Sequence, residues 1–77
     1  MKEFLKEKID EIAFTSVELD DSLWKSGVLD SITIVEFAVE IEEEFNIKVP
    51  FDDIIVENFE TLSRVITYIE KRQKENA

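Results

Sequence analysis

The chain has 77 residues, of which 44% are apolar, and its 19 acidic and 9 basic side chains leave a net charge of −10. This charge disfavours nucleic acid and anionic membranes as partners, and no apolar run approaches the ~18 residues of a membrane span. The sequence contains neither Cys nor His, which excludes disulfides, Cys/His zinc sites and a histidine general base. The charged N-terminus does not resemble a secretion signal. We therefore expect a cytoplasmic, non-enzymatic module that forms one domain over residues 1–77 and binds basic partners.

Hydrophobic periodicity predicts three main helices. The first covers residues 2–14, and the last runs from a threonine cap at residue 61 to about residue 72. The second covers residues 31–45, with Asp30 and Ser31 supplying the N-cap chemistry. All three carry apolar side chains at helical spacing on one face, so each is expected to contribute to a common core.

The connecting segments complete the predicted fold. Residues 15–30 form the longest irregular segment, with apolar residues that pin it to the core. Residues 51–57, which follow Pro50, are predicted as a short third helix. The β-branched residues between 49 and 56 would also suit a strand, but a lone strand would have no pairing partner. The sequence therefore predicts an all-α fold, with three main helices and one short third helix around a single core.

The second helix carries two apolar stripes. The first stripe is expected to face the core and consists of Ile34, Phe37, Ala38, Ile41 and Phe45. The second is turned away from it and consists of Ile32, Val35 and Val39, flanked by Glu36, Glu40 and Glu43. One buried face is enough to dock a helix, so the second stripe suggests a partner site with apolar anchors and acidic edges. The alternative is that the loop or the third helix covers Val35 and Val39.

Ser31 lies where the long loop meets the second helix. We expect its side-chain oxygen to lie near free backbone N–H groups at the positive end of the helix dipole, which would suit a phosphodiester. The sequence offers no histidine and no adjacent lysine to activate the hydroxyl as a nucleophile. Ser31 is therefore a candidate substrate of another enzyme rather than a catalyst. The alternative is an ordinary Asp-Ser helix cap.

Six short motifs follow one another in order along the chain. They are Gly27-Val28-Leu29-Asp30-Ser31-Ile32, Val35-Glu36-Phe37, Ile41-Glu42-Glu43-Glu44-Phe45, Val49-Pro50, Phe59-Glu60-Thr61-Leu62 and Tyr68-Ile69. Each motif is weak alone, but their order and spacing, together with the length and acidity of the chain, resemble the acyl carrier protein family. The resemblance covers nearly the whole chain and is best from about residue 23 to residue 70. It implies a four-helix bundle of the acyl carrier type.

The resemblance also implies a covalent cofactor. Ser31 would carry a 4′-phosphopantetheine arm, transferred from coenzyme A by a separate phosphopantetheinyl transferase that uses magnesium. The thiol of the arm would hold an acyl or aminoacyl group as a thioester. Asp30 matches the family's aspartate that helps position the transferase and its metal, while the carrier itself is expected to hold no metal and no catalytic residue.

The same resemblance assigns partners and a cargo site. The second helix would be the recognition helix, which meets basic patches on the transferase, on a loading enzyme and on acyl-accepting enzymes. Its expected contact residues are Ile32, Val35, Glu36, Val39, Glu40 and Glu43. The expected lining of a cargo cavity is Phe37, Ile41, Val49, Ile54, Phe59 and Val65. We expect a monomer that neither binds nucleic acid nor inserts into a membrane.

Departures from the fatty-acid carriers bear on the pathway. Those carriers have a small residue before the aspartate and a leucine and an acid after the serine, whereas this chain has Leu29, Ile32 and Thr33. Leu29-Asp30-Ser31 instead resembles D-alanyl carriers and some other stand-alone carriers. An unmodified acidic adaptor that binds basic proteins through the second helix is the alternative function. A hydrolase based on Asp52 and Asp53 is disfavoured, because neighbouring helical side chains diverge, and no calcium-binding loop is present.

Overall fold

The computed structural model describes residues 1–75, and every regular element in that range is helical. The elements are α1 (Lys2–Ala13), α2 (Thr33–Phe45), a 3₁₀ turn (Phe51–Asp53), α3 (Val56–Phe59) and α4 (Leu62–Glu75). The fold is thus an all-α bundle of three main helices and one short third helix, which confirms the predicted fold class. Asn76 and Ala77 lie outside the described residues.

One apolar core joins the main helices. The buried core residues of the helices are Leu5 and Ile9 from α1, Ile34, Phe37, Ala38 and Ile41 from α2, Phe59 from α3, and Leu62, Val65, Tyr68 and Ile69 from α4. The long loop adds Val17, Leu23 and Leu29, so it is pinned to the core as predicted. Phe45 lies at the edge of the core, where its ring packs edge to face on Phe4 with 5.6 Å between the centroids.

The helix ends follow local backbone chemistry. Phe14 ends α1 in a left-handed conformation (φ 56°) and donates its N–H to the carbonyl of Asp10 at 2.9 Å. Asn46 ends α2 in the same conformation (φ 52°), which asparagine tolerates well. The Thr61 hydroxyl accepts the N–H of Arg64 at 3.2 Å, which confirms the predicted cap of α4. Since α4 continues to Glu75, the predicted end near residue 72 was three residues short.

The prediction of one continuous helix over residues 51–57 is wrong. The chain makes a 3₁₀ turn, becomes extended at Ile55 (φ −126°, ψ 160°) and only then enters α3. The Tyr68 hydroxyl of α4 donates to Asp53 Oδ2 at 2.7 Å, and Asn58 Nδ2 donates to the Asp53 carbonyl at 2.8 Å. Burial and the Asp53 carboxylate raise the pKa of Tyr68, so its hydroxyl keeps its proton and remains a donor. The Tyr68 bond ties the turn to α4, and the Asn58 bond ties it to α3.

Replacing Tyr68 by phenylalanine should destabilise the fold through this tie alone. The ring stays in the core, while Asp53 loses its hydrogen-bond donor, so we expect the free energy of unfolding to fall by about 1 kcal/mol. In a domain of this size the melting temperature should then drop by roughly 4–8 °C. Thr67→Val is the control, because it removes an exposed hydroxyl that bonds only to the Ser63 carbonyl within its own helix. Equal melting temperatures for both variants would contradict the role of the tie.

Candidate functional site

The start of α2 is shaped by Asp30. Its Oδ1 accepts the backbone N–H groups of Ile32 and Thr33, both at 2.9 Å, and its carbonyl accepts the N–H of Ile34 at 3.0 Å. The Thr33 hydroxyl oxygen in turn accepts the N–H of Asp30 at 2.8 Å. This reciprocal pairing resembles a capping box, with threonine in the usual place of glutamate. The cap is therefore made by Asp30 and Thr33, and α2 begins at Thr33 rather than at Ser31.

The cap also fixes the charge of Asp30. The pKa of this carboxyl is held below its ordinary value of 3.8 by hydrogen bonds. The largest effect comes from the N–H of Thr33, followed by the N–H of Ile32 and the Thr33 hydroxyl. Asp30 is exposed, and its Oδ2 takes part in no hydrogen bond with residues 1–75. Near neutral pH the site thus presents an ionised oxygen to solvent next to Ser31.

The expectation of free N–H groups beside Ser31 is wrong for the three residues that follow it in the chain. The N–H groups of Ile32, Thr33 and Ile34 already donate to Asp30. A phosphate on Ser31 would still lie at the positive end of the α2 dipole. It would need another cation or donor to balance its charge.

Ser31 differs from most other serines of the chain. The hydroxyls of Ser22, Ser26 and Ser63 donate to Glu60, to the Leu23 carbonyl and to Asp20, respectively. Within residues 1–75, the hydroxyls of Ser16 and Ser31 have no such partner, and both residues are exposed. Of these two, only Ser31 is next to an ionised carboxylate at the start of a long helix, where a partner enzyme can reach both groups together.

The second stripe of α2 is exposed, so the alternative that the loop or third helix covers it is wrong. Ile32, Val35 and Val39 are 70%, 45% and 43% exposed. The half-buried Ile12 of α1 lies beside Val35 and Val39 in a shallow apolar groove. Ile12 belongs by its helical spacing to the apolar stripe of α1 that is expected to face the core, and its position at the end of that stripe is the one signal of this second contact.

The three acids along this stripe are not equivalent. Glu36 and Glu43 are exposed. Glu40 Oε2 instead lies 3.5 Å from Nζ of Lys8, which also pairs with Glu11 at 3.4 Å. These two carboxylates, Glu11 first, raise the pKa of Lys8, so the lysine stays charged. Glu40 is therefore engaged in holding α1 beside α2, and Glu36 and Glu43 are the acids that remain for a partner.

The residues assigned to a cargo cavity lie together in the core. Phe37, Ile41, Phe59 and Val65 are fully buried, Val49 is nearly so, and Ile54 packs against the cluster from its edge. They line one continuous apolar interior between α2, α3 and α4. Their role in sheltering a bound chain remains a prediction, because a chain could enter only if these helices moved apart.

Residues 1–75 contain neither a membrane-spanning helix nor a cluster of metal ligands. No helix in this range is both long enough and apolar enough to cross a membrane. No three potential ligands among its acidic side chains converge on a common metal position. The pair considered for a hydrolase is split, because Asp53 accepts the Tyr68 hydroxyl whereas Asp52 is exposed.

Comparison with known families decides between these possibilities. The family model for the phosphopantetheine attachment site matches residues 1–69. The chain belongs to this carrier family. It is a carrier protein with a phosphopantetheine attachment site, and it serves other enzymes rather than catalysing a reaction. The family implies a phosphopantetheinyl transferase and a loading enzyme as its partners.

Relatives of the carrier are found among the D-alanyl carrier proteins of streptococci. Over 55 residues, it is 46% identical to those of Streptococcus equi subsp. zooepidemicus (strain MGCS10565) and Streptococcus equi subsp. equi (strain 4047). It is 38% identical over 55 residues to that of Streptococcus pyogenes serotype M1. Each match covers 71% of this chain and 70% of the relative.

Two substitutions of Asp30 should separate its structural role from its charge. Asn keeps an Oδ1 acceptor for the cap but removes the ionised oxygen, whereas Ala removes both. Asp30→Ala should therefore lower the melting temperature more than Asp30→Asn, while both should slow phosphopantetheine transfer measured by intact mass. Normal transfer to Asp30→Asn would show that the charge is not needed.

The cap should also make the melting temperature depend on pH. Because the pKa of Asp30 is lower in the folded than in the unfolded state, its stabilisation is fully present above the unfolded value near 3.8. It should be lost as the pH falls through the folded-state pKa. The gap in melting temperature between the wild type and Asp30→Asn should accordingly narrow on acidification below 3.8.

Proposed function

We propose that Ser31 carries the 4′-phosphopantetheine arm and that the protein delivers an aminoacyl group, D-alanine, between partner enzymes. The observation that carries the proposal is the exposed Ser31 hydroxyl, free of hydrogen bonds within residues 1–75, beside the ionised Asp30 at the start of α2. A hydroxyl in this position can be reached by a transferase without unfolding the helix. The hydroxyls of Ser22, Ser26 and Ser63 would first have to give up their hydrogen bonds.

The modification is a displacement at phosphorus. Ser31 Oγ forms a bond to the phosphorus that bears pantetheine, the pyrophosphate bond of coenzyme A breaks, and adenosine 3′,5′-bisphosphate leaves. The hydroxyl proton passes to a base of the transferase, since the carrier has no histidine to receive it. Asp30 Oδ2 is placed to contact the magnesium ion or a basic group of that enzyme. When bound, the arm supplies the thiol that holds the cargo as a thioester.

The proposed cargo is small and cationic. The relatives are D-alanyl carrier proteins, and Leu29-Asp30-Ser31 fits that type better than the fatty-acid type. The core supports the same choice, because Phe37 and Phe59 are fully buried and leave a long acyl chain no open path. An α-amino group is largely protonated near neutral pH, so the acidic chain attracts this cargo. A fatty acyl group is the second candidate, favoured only by the apolar residues assigned to the cavity.

The proposed docking surface is the exposed stripe of α2. Ile32, Val35 and Val39 would supply apolar anchors, while Glu36 and Glu43 would steer basic patches of the transferase and the loading enzyme. Glu40 would contribute indirectly, because its pairing with Lys8 fixes α1 beside this surface. An unmodified adaptor would use the same stripe but would have no need of Ser31.

The setting of the carrier is part of the proposal. We infer that residues 1–77 work as one monomeric domain in the cytoplasm. The single apolar core shared by α1, α2 and α4 supports the one-domain assignment. The absence of Cys from the sequence is compatible with a reducing compartment.

The attachment site is tested by intact mass. Incubation with coenzyme A, magnesium and a broad-specificity phosphopantetheinyl transferase should add one phosphopantetheine to the wild type and none to Ser31→Ala. Ser16→Ala is the matched control, because Ser16 is also exposed and without a hydrogen-bond partner in residues 1–75, and it should be modified at the wild-type rate. The wild type must be folded and unmodified at the start. If it then gains no mass with this transferase or with its own, the result would favour the alternative function, an unmodified adaptor.

The docking surface is tested by charge reversal. Glu36→Lys and Glu43→Lys should each slow phosphopantetheine transfer severalfold through a weaker encounter with a basic partner, with little change in melting temperature. Glu70→Lys makes the same charge change on α4, at another exposed position, and serves as the control. Slowing by the same factor in all three variants would point to net charge rather than to a docking surface on α2.

A further inference from the structure

A cleft of about 750 Å³ opens between the end of α1, the long loop and the start of α2. Its lining includes Thr15, Ser16, Lys25, Ser26, Asp30 and Thr33. The docking stripe of α2 lies outside this lining, and the residues assigned to the cargo cavity are not part of it. The cleft is therefore a separate concave surface next to the attachment site.

Ser31 lies in the chain between two residues that line the cleft. Asp30 and Thr33 line the cleft and flank Ser31 in the chain. Since consecutive Cα atoms are 3.8 Å apart, the backbone of Ser31 lies within a few ångströms of the residues of the cleft wall. A flexible arm rooted there can enter the cleft without any movement of the helices.

The lining suits the chemistry of the arm. Phosphopantetheine has a phosphodiester, a hydroxyl group and two amides, all of which form hydrogen bonds. The side chains of Thr15, Ser16 and Ser26 offer hydroxyl groups that can both donate and accept. Ala13, Val17 and Val28 add apolar area to the lining. The mixed surface matches an arm that carries methyl and methylene groups as well as polar groups.

Lys25 supplies the charge that the phosphodiester needs. It is the only basic residue in the sequence from 9 to 47. Its ammonium group joins none of the ion pairs formed among residues 1–75, which use Lys6, Lys8 and Arg72. Because the N–H groups of Ile32, Thr33 and Ile34 already donate to Asp30, a phosphate on Ser31 would need a cation. Lys25 is the one basic residue that lines the cleft.

The cleft is held in shape by bonds on the other side of the loop. The N–H of Leu23 donates to the Glu60 carbonyl at 2.8 Å, and the Ser22 hydroxyl donates to Glu60 Oε1 at 2.9 Å. The N–H of Ser63 donates to the Leu19 carbonyl at 3.2 Å. These contacts fasten the loop to the α3–α4 junction, so binding in the cleft does not have to pay the entropy of ordering the loop.

From these observations we infer that the cleft is the resting site of the phosphopantetheine arm on the free carrier, with Lys25 paired to its phosphodiester. The inference rests on the proposed attachment to Ser31. In this resting position the arm lies along the loop and away from the docking stripe. Partner binding on α2 then leaves the cleft side of the protein uncovered, and the arm swings out to reach the partner's active site.

The resting site is tested on holo-protein whose modification has first been verified by intact mass. The chain has no cysteine, so a maleimide nitroxide reacts only with the thiol of the arm. Paramagnetic broadening of backbone amide signals then maps its position. We expect strong broadening at Ser16, Ser26 and Gly27, and little at Lys48.

Two variants make the test specific to the cleft. Lys25→Met should reduce the paramagnetic relaxation rates at Ser16 and Ser26 by about two- to fivefold, the range expected for loss of one exposed ion pair. Lys48→Met removes one positive charge outside the cleft and should leave these relaxation rates unchanged. Ser16→Tyr, which fills the cleft at an exposed position, should have the effect of Lys25→Met.

The outcomes separate this inference from the proposed function. An arm that is attached but broadens amides evenly around Ser31, or mainly the core amides of Phe37 and Ile41, would overturn the resting site alone. Equal changes in the paramagnetic relaxation rates at Ser16 and Ser26 in Lys25→Met and Lys48→Met would also overturn the resting site. Failure to attach any arm to Ser31 in the mass measurement would overturn both proposals.

Discussion

The geometry of the site depends on the Asp30 carboxylate. By accepting the N–H groups of Ile32 and Thr33, it caps α2, which begins at Thr33, two residues after Ser31. The same hydrogen bonds keep the carboxylate ionised and aim one of its oxygens at solvent. The carboxylate that caps the helix is thus also the charged group that a partner enzyme can contact. Removal of Asp30 would therefore disturb the helix start and the modification together.

Some of the acidic side chains bond to other parts of the fold, while others stay exposed to solvent. Glu42 accepts the N–H of Val49 at 2.7 Å, Glu60 holds the long loop, and Asp53 holds the 3₁₀ turn against α4. Glu40 is paired with Lys8. The acids that the fold leaves exposed along the α2 stripe, Glu36 and Glu43, are the ones suited to steer a basic partner. Net charge alone would not have distinguished these groups.

The main helices could be predicted because periodicity reflects burial directly. The apolar stripes of α1, α2 and α4 became the core, and Thr61 became a cap, since both patterns act over a few neighbouring residues. The capping role of Asp30 was predicted, but α2 begins two residues later than expected, and the break between the 3₁₀ turn and α3 was missed. The first depends on how Asp30 and Thr33 share their hydrogen bonds, although their spacing was a readable signal. The second depends on a contact between Asp53 and Tyr68, which are fifteen residues apart.

The site was predictable to a different degree. An Asp-Ser pair before a helix is common, so Ser31 could be singled out only through the ordered motifs that resemble the carrier family. The exposed stripe on α2 followed from periodicity, because a helix with two apolar faces can bury only one against this core. The engagement of Glu40 with Lys8 was not visible in the sequence, and the second contact of Ile12 was indicated only by its place at the end of the α1 stripe. Both depend on how α1 crosses α2.

The most direct measurement is the mass of the tryptic peptide 26–48 from protein isolated from its own cells. Cleavage after Lys25 and Lys48 gives a peptide whose only serines are Ser26 and Ser31. Fragmentation of this peptide assigns a modification to one of them. The account predicts a 4′-phosphopantetheine group on Ser31 and an unmodified Ser26. A peptide that is wholly unmodified in cells that modify their other carriers, or an arm on Ser26, would contradict it.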